Sequence, residues 1–132
     1  AEVKRTGADV TVVAYSKMLL VALEAAEQLS REGVDVEVID PRTLKPLDLD
    51  TIVTSVKKTG RLVIVEEGWR FCGLGAQIAE SIYSAAFDSL DGPIIRVTGE
   101  DVPIPYSRPL EDAAIPDVPR VVGAVKTVCG VA

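Results

Sequence analysis

The chain has 132 residues, 48% of them apolar, and carries 20 acidic against 14 basic side chains for a formal charge of −6. This size and apolar content suit one compact domain over residues 1–132 and lie far from a disordered composition. The acidity disfavours nucleic acid as a partner, no apolar run reaches the roughly 18–20 residues of a membrane helix, and two distant cysteines, Cys72 and Cys129, suit a soluble protein in a reducing compartment.

The polar start AEVKRTG is no signal peptide, and a first residue other than Met leaves room for a longer parent polypeptide. Asp9–Tyr15 is valine-rich and predicts a buried strand. Ser16 is placed to cap the helix that follows, whose apolar face is Leu19, Ala22, Leu23, Ala26 and Leu29. Gly33 stands where a helix end favours a left-handed residue, and Val34–Ile39 alternates as a second strand. Asp48 caps a second helix with the stripe Leu49, Ile52, Val53 and Val56, which Gly60 ends. A third strand, Leu62–Val65, leads through a glycine-rich loop into a helix from Leu74 to Phe87, expected to bury Ile78, Ala79, Ile82, Tyr83 and Ala86. Ile94–Thr98 is a fourth strand after the Asp91–Gly92–Pro93 turn. Residues 99–116 hold four of the eight prolines, a long loop of the kind used for function or interfaces, with a short helical turn near Leu110–Ala114. A last helix spans Asp117–Cys129, with Val118, Val121, Val122, Val125 and Cys129 on one side and Pro119 tolerated in its first turn. Strands alternating with helices imply crossover connections and a mainly parallel sheet covered on both faces.

No residue is histidine, so neither a Ser-His-Asp nor a Cys-His hydrolase can be assembled, and the usual zinc sites are absent with it. No phosphate-binding GxxxxGK[ST] motif occurs. Gly73–Leu74–Gly75 follows a strand and opens a helix, as in a dinucleotide fingerprint, but the third glycine position is Ile78. The glycines then serve the turn and let the helix start close to the sheet. Glu66 and Glu67 are adjacent on a strand and so face opposite ways; one of them is expected to cap a helix N-terminus or to pair with an arginine. Cys72 precedes a helix start but has no neighbouring base, which favours a buried, inert thiol. A minimal active site of Glu66, Glu67 and Cys72 is a third reading. Trp69, Arg70 and Phe71 in the glycine loop, and Tyr106 and Arg108 in the proline-rich loop, are candidate contact residues, with packing over the domain's own core as the alternative for the aromatics.

Four stretches in order carry a family resemblance: Glu37–Ile52, Ser55–Gly68, Gly73–Ile78, and Asp101–Leu110 followed by Glu111. Together they resemble the carboxyl-terminal domain of the transketolase superfamily. Within it, they are most similar to beta subunits of thiamine-diphosphate-dependent 2-oxo acid dehydrogenases, those acting on pyruvate above all. The resemblance implies an α/β fold in three α/β/α layers around a mostly parallel or mixed five-stranded sheet. It implies thiamine diphosphate and magnesium in the parent enzyme, but the catalytic histidine and the cofactor contacts of that family lie outside this domain. It therefore assigns no catalytic, cofactor or metal residue here, and expects no cofactor on this domain alone. The implied role is assembly, with a like beta subunit, an alpha subunit and the typically basic docking module of a dihydrolipoyl acyltransferase as partners. Bacterial cytoplasm, mitochondrial matrix and plastid all fit. The Arg70–Phe71–Cys72 segment falls where the family varies, so no partner contacts are inherited for it. A stand-alone small-molecule or nucleotide-binding module using the Gly73–Gly75 loop is the competing expectation.

Overall fold

The computed structural model describes residues 1–131. Eleven elements run in the order β1 (Glu2–Arg5), β2 (Val10–Ala14), α1 (Lys17–Arg31), β3 (Val36–Asp40), α2 (Leu49–Thr59), β4 (Leu62–Trp69), α3 (Leu74–Ala86), a 3₁₀ turn (Phe87–Ser89), β5 (Ile95–Gly99), α4 (Arg108–Ala114) and α5 (Val118–Cys129). The strands form one five-stranded sheet ordered β1-β3-β2-β4-β5. β2, β3, β4 and β5 are parallel, while β1 runs antiparallel to β3 at one edge.

Alternation along the strands builds two cores. On one face Val10, Val12, Ala14, Val36, Val38, Val63 and Val65 meet α1 and α5 through Met18, Ala22, Leu29, Val121 and Val125. On the other, Val13, Ile39, Leu62 and Ile64 meet α2 and α3 through Ile52, Val56, Ile78 and Ile82. Successive strand residues point to opposite faces, which is why the central strands read as unbroken apolar runs. The layers are therefore α1/α5, sheet and α2/α3, the expected three-layer α/β/α architecture with a mixed sheet.

The helix ends largely follow the expectations. The Asp48 carboxylate accepts from Thr51 N–H at 3.1 Å, as expected; the Asp117 carboxylate, for which no cap was expected, likewise accepts from Arg120 N–H at 3.0 Å. Gly33 and Gly60 have φ of +84° and +72°, the left-handed conformation that stops α1 and α2.

Several expectations change. Ser16 makes no side-chain cap and has φ of +55°. Its carbonyl, rather than its hydroxyl, serves the first turn by accepting from Leu19 N–H at 3.1 Å. β3 starts at Val36, because Val34 N–H still bonds Leu29 C=O at 3.0 Å and belongs to the exit from α1. β4 extends past Val65 to Trp69, with an irregular register against β5 between those residues. Gly99 permits this, since a Cβ there would lie 2.2 Å from Glu67 O. β1 is a strand where only a polar start was expected; its residues are almost all exposed, so burial left no pattern in them. Tyr83 is 37% exposed rather than buried, its hydroxyl accepting from Ile94 N–H at 3.0 Å. The short turn expected near Leu110–Ala114 is the helix α4, begun earlier at Arg108 with Pro109 in its first turn.

Candidate functional site

Strand order reverses between β2 and β4, each of which starts a crossover to its own side of the sheet. In open α/β sheets the crevice beyond the carboxyl ends of such strands is the usual ligand position. Here the protein's own side chains occupy the part of it at β4, while a cleft of about 380 Å³ lined by Tyr15, Ser16, Asp40, Arg42 and Leu44 stays open at the ends of β2 and β3. Glu66, on β4, is 1% exposed. Its Oε2 accepts from Gly75 N–H at 2.9 Å and from the Tyr15 hydroxyl at 3.0 Å, and its Oε1 accepts from Arg96 Nη2 at 2.7 Å. The carboxylate thus does both things expected of one of the two glutamates: it satisfies the N-terminus of α3 and it pairs with an arginine. Glu67 is half-buried and, among the described residues, makes no hydrogen bond or ion pair to this cluster.

The glycine pair is explained by the same carboxylate. A Cβ on Gly75 would lie 2.6 Å from Glu66 Oε1; one on Gly73 would lie 2.4 Å from Trp69 O and 2.7 Å from Glu66 Oε1. The loop is glycine-rich because a helix begins directly over a buried carboxylate. A helix N-terminus attracts anions, and this one already holds an anion of its own. A diphosphate brought there would meet a like charge, so these residues do not fit thiamine diphosphate or a dinucleotide. Ile78, at the third fingerprint position, is fully buried in the α2/α3 core. Burial, followed by the negative charge of Glu66, pushes the Tyr15 phenol far above its ordinary range and keeps it a hydrogen-bond donor.

Arg96 extends the cluster to the loop after β4. Its Nη2 also donates to Arg70 O at 2.9 Å, while Arg70 Nη1 donates back to Arg96 O at 3.2 Å. Trp69 Nε1 donates to Val102 O at 3.1 Å and ties the end of β4 to the proline-rich loop. That loop is closed at its base by Glu100 N–H on Ala114 O at 2.8 Å. Both loops present large side chains to solvent: Trp69 is 48% exposed, Phe71 79%, and Tyr106 entirely. Val102, Ile104 and Leu110 are exposed beside them in sequence. Arg108 lies at the start of α4, 4.0 Å from Asp112. Among the described residues, no hydrogen bond or ion pair joins Tyr106 or Arg108 to the loop at 69–73, so the structure links Trp69, but not these two, across the candidate surface.

Cys72 corrects an expectation. It is exposed, not buried, with φ of +54° in a loop whose neighbours are pinned by Arg96. Cys129 is the half-buried thiol, and burial raises its pKa.

A second buried carboxylate escaped sequence reasoning. Glu37, on β3, is 3% exposed and bonds Ser55 Oγ at 2.5 Å, Gly7 N–H at 3.3 Å and Lys58 Nζ. Burial works to raise its pKa, but Lys58, Ser55 and the Gly7 amide outweigh that and hold it below the usual carboxylate range. Thr11 continues the seam to Ser55 at 2.7 Å and Thr59 at 2.8 Å. These bonds join β2 and β3 to α2 near the amino ends of the strands. An open cleft of about 490 Å³ lies above them, lined by Val3, Thr6, Asp50, Thr54 and Lys58 among others. The signals available were the single charges inside apolar strands: Glu37 in VEVI and Arg96 in IIRV.

The family described as "Transketolase, C-terminal domain" matches residues 1–121. The chain belongs to this family. It is 54% identical over 129 residues to the pyruvate dehydrogenase E1 component subunit beta of Rickettsia felis, covering 98% of this chain and 40% of that protein. The same subunit of Rhizobium meliloti is 50% identical, with 98% and 28% covered. The mitochondrial one of Dictyostelium discoideum is 49% identical, with 97% and 36% covered. A solved structure described as "Split gene transketolase, inactive beta4 tetramer" superposes with a TM-score of 0.84 at 33% identity, over 98% of this chain and 41% of that one. The chain thus spans 28–40% of the length of these three curated relatives. Among the described residues of this transketolase C-terminal domain, no helix is long and apolar enough to cross a membrane.

Proposed function

We propose that this chain is the non-catalytic subunit-association domain of a 2-oxo acid dehydrogenase beta subunit, with pyruvate as the substrate of the intact enzyme. It supports oxidative decarboxylation by joining beta subunits, meeting the alpha subunit and docking the dihydrolipoyl acyltransferase core. Thiamine diphosphate and magnesium belong to other polypeptide of the parent enzyme. The observation that carries this reading is a pairing at the carboxyl end of the sheet. The part of the crevice at β4 is occupied by Glu66, Tyr15 and Arg96, while Trp69 and Phe71 beside it face solvent. Large exposed aromatics are typical anchors of protein contacts. Sequence identity of about half to pyruvate dehydrogenase beta subunits supports the substrate, and the tetrameric description of the split-gene transketolase relative supports self-association. The net charge of −6 suits a basic docking module. Free Cys72 and Cys129 suit the bacterial cytoplasm or the mitochondrial matrix.

Sedimentation equilibrium of the full-length subunit tests the surface. Replacing Trp69 and Phe71 together by Ala is expected to weaken association by about 2 kcal/mol or more, a factor of ~30, as for buried aromatic anchors. Unchanged association would remove these residues from the interface.

A further inference from the structure

We propose that Glu66 and Arg96 are positioning residues for subunit association: a buried latch that sets the shape of the 69–73 loop without itself touching a partner. The inference rests on the assembly reading above and adds to it the device that holds the surface in place.

The loop between β4 and α3 is short, glycine-containing and carries Cys72 at positive φ. Trp69 is held as the last residue of β4 by pairing with Gly99 and by its Nε1 bond to Val102 O. The backbone that follows, from Arg70 to Gly75 and carrying Phe71, is held by four contacts from beneath. Glu66 holds Gly75 N–H on the α3 side of the loop and Arg96 on the β5 side. Arg96 in turn holds Arg70 O, and Arg70 reaches back to Arg96 O. Without Glu66, the guanidinium of Arg96 loses the charge that aims it at the loop. The side chains of Glu66 and Arg96 are 1% and 12% exposed, out of reach of a large partner.

The pair is also poorly suited to a purely stabilising role. Burying an ion pair costs desolvation that attraction barely repays unless every polar atom is satisfied, and Arg96 Nε is buried with no partner. What the pair does specify is direction. A guanidinium donates in a fixed planar fork, so orienting it on Glu66 places a second N–H toward Arg70 O.

The test is Glu66→Gln in the full-length subunit, which keeps volume and an acceptor but removes the charge, with Arg96→Lys as a second variant that keeps charge and loses the fork. Glu67→Gln, altering the neighbouring carboxyl that makes no hydrogen bond or ion pair to Glu66 or Arg96, is the control. Two readouts are taken: amide hydrogen exchange across residues 69–75, and the association constant. Both variants are expected to speed exchange in that loop by about tenfold or more while leaving the buried amides of α1 and α5 unchanged, and to weaken association by about tenfold through faster dissociation. The control should do neither. Exchange that stays slow in the loop, or rises equally throughout the protein, would overturn the proposal. So would loosened exchange with intact association. The two readings separate cleanly: if the Trp69 and Phe71 substitutions weaken association and Glu66→Gln does not, the latch fails and the surface stands. If neither weakens it, the surface reading fails.

Discussion

At Gly75, one absent methyl group decides how near α3 comes to the sheet. Intrinsic propensity alone favours Ala over Gly inside a helix by about 1 kcal/mol. A Cβ at this position, however, would meet Glu66 Oε1 at 2.6 Å and its Cδ at 3.0 Å. That carboxylate cannot retreat, because Tyr15, Arg96 and Gly75 N–H all hold it. Gly123 provides the contrast, lying mid-way along α5 with nothing within 4 Å of an added methyl. Gly75→Ala is therefore expected to destabilise the fold by about 1–3 kcal/mol through overpacking. Gly123→Ala should stabilise it by about 0.5–1 kcal/mol. Urea unfolding midpoints measure both, and two shifts of the same sign would contradict this account of the loop.

Among the elements, β5 poses the problem of an open edge. It pairs with β4 on one side and ends the sheet on the other. Unpaired strand edges invite a further strand from another molecule. Here three side chains occupy the free backbone groups. Tyr83 OH accepts from Ile94 N–H, just before the strand, at 3.0 Å, Arg70 Nη1 donates to Arg96 O at 3.2 Å, and Arg120 Nη2 donates to Thr98 O at 2.7 Å. Tyr83 is half-exposed for this reason, which explains why helical spacing placed it in the core while its hydroxyl drew it out. Arg70 acquires an intramolecular task alongside its candidate place on the contact surface. Combining Tyr83→Phe with Arg120→Ala removes two of the three guards at about 0.5–1.5 kcal/mol each. The doubly substituted chain is expected to stay folded by circular dichroism yet scatter light increasingly with concentration. A dispersed sample at high concentration would show that the edge needs no guarding.

For the molecule as a whole, what could be read from sequence follows from what is periodic. The central strands and the apolar faces of α2 and α5 repeat at fixed spacing, and Asp48, Gly33 and Gly60 mark helix ends by local chemistry, so the layers and the succession of elements along the chain were legible. β1 was not, because an exposed edge strand of four residues carries no burial pattern. Nor was the cap at Ser16, where a positive φ set by the turn out of β2 overrides side-chain preference. Within the site, one of Glu66 and Glu67 was legible as a capping or paired carboxylate, but neither which of the two nor its partners were. Tyr15 and Arg96 lie 51 and 30 residues away and meet it only through the strand order. The exposed Cys72 was misjudged because the loop that holds it outward is shaped by Arg96 from another strand.

The central claim is that the β4 part of this crevice is structural rather than a binding site, the ligand's place being taken by the chain's own carboxylate. Titration calorimetry of the chain with thiamine diphosphate and magnesium, NAD and ATP tests it most directly. No heat of binding is expected for any of the three up to millimolar concentration, because each would bring phosphate against Glu66 at the glycine-loop start of α3. Micromolar binding of any of them, abolished by substitution at Gly73 or Gly75, would contradict the account.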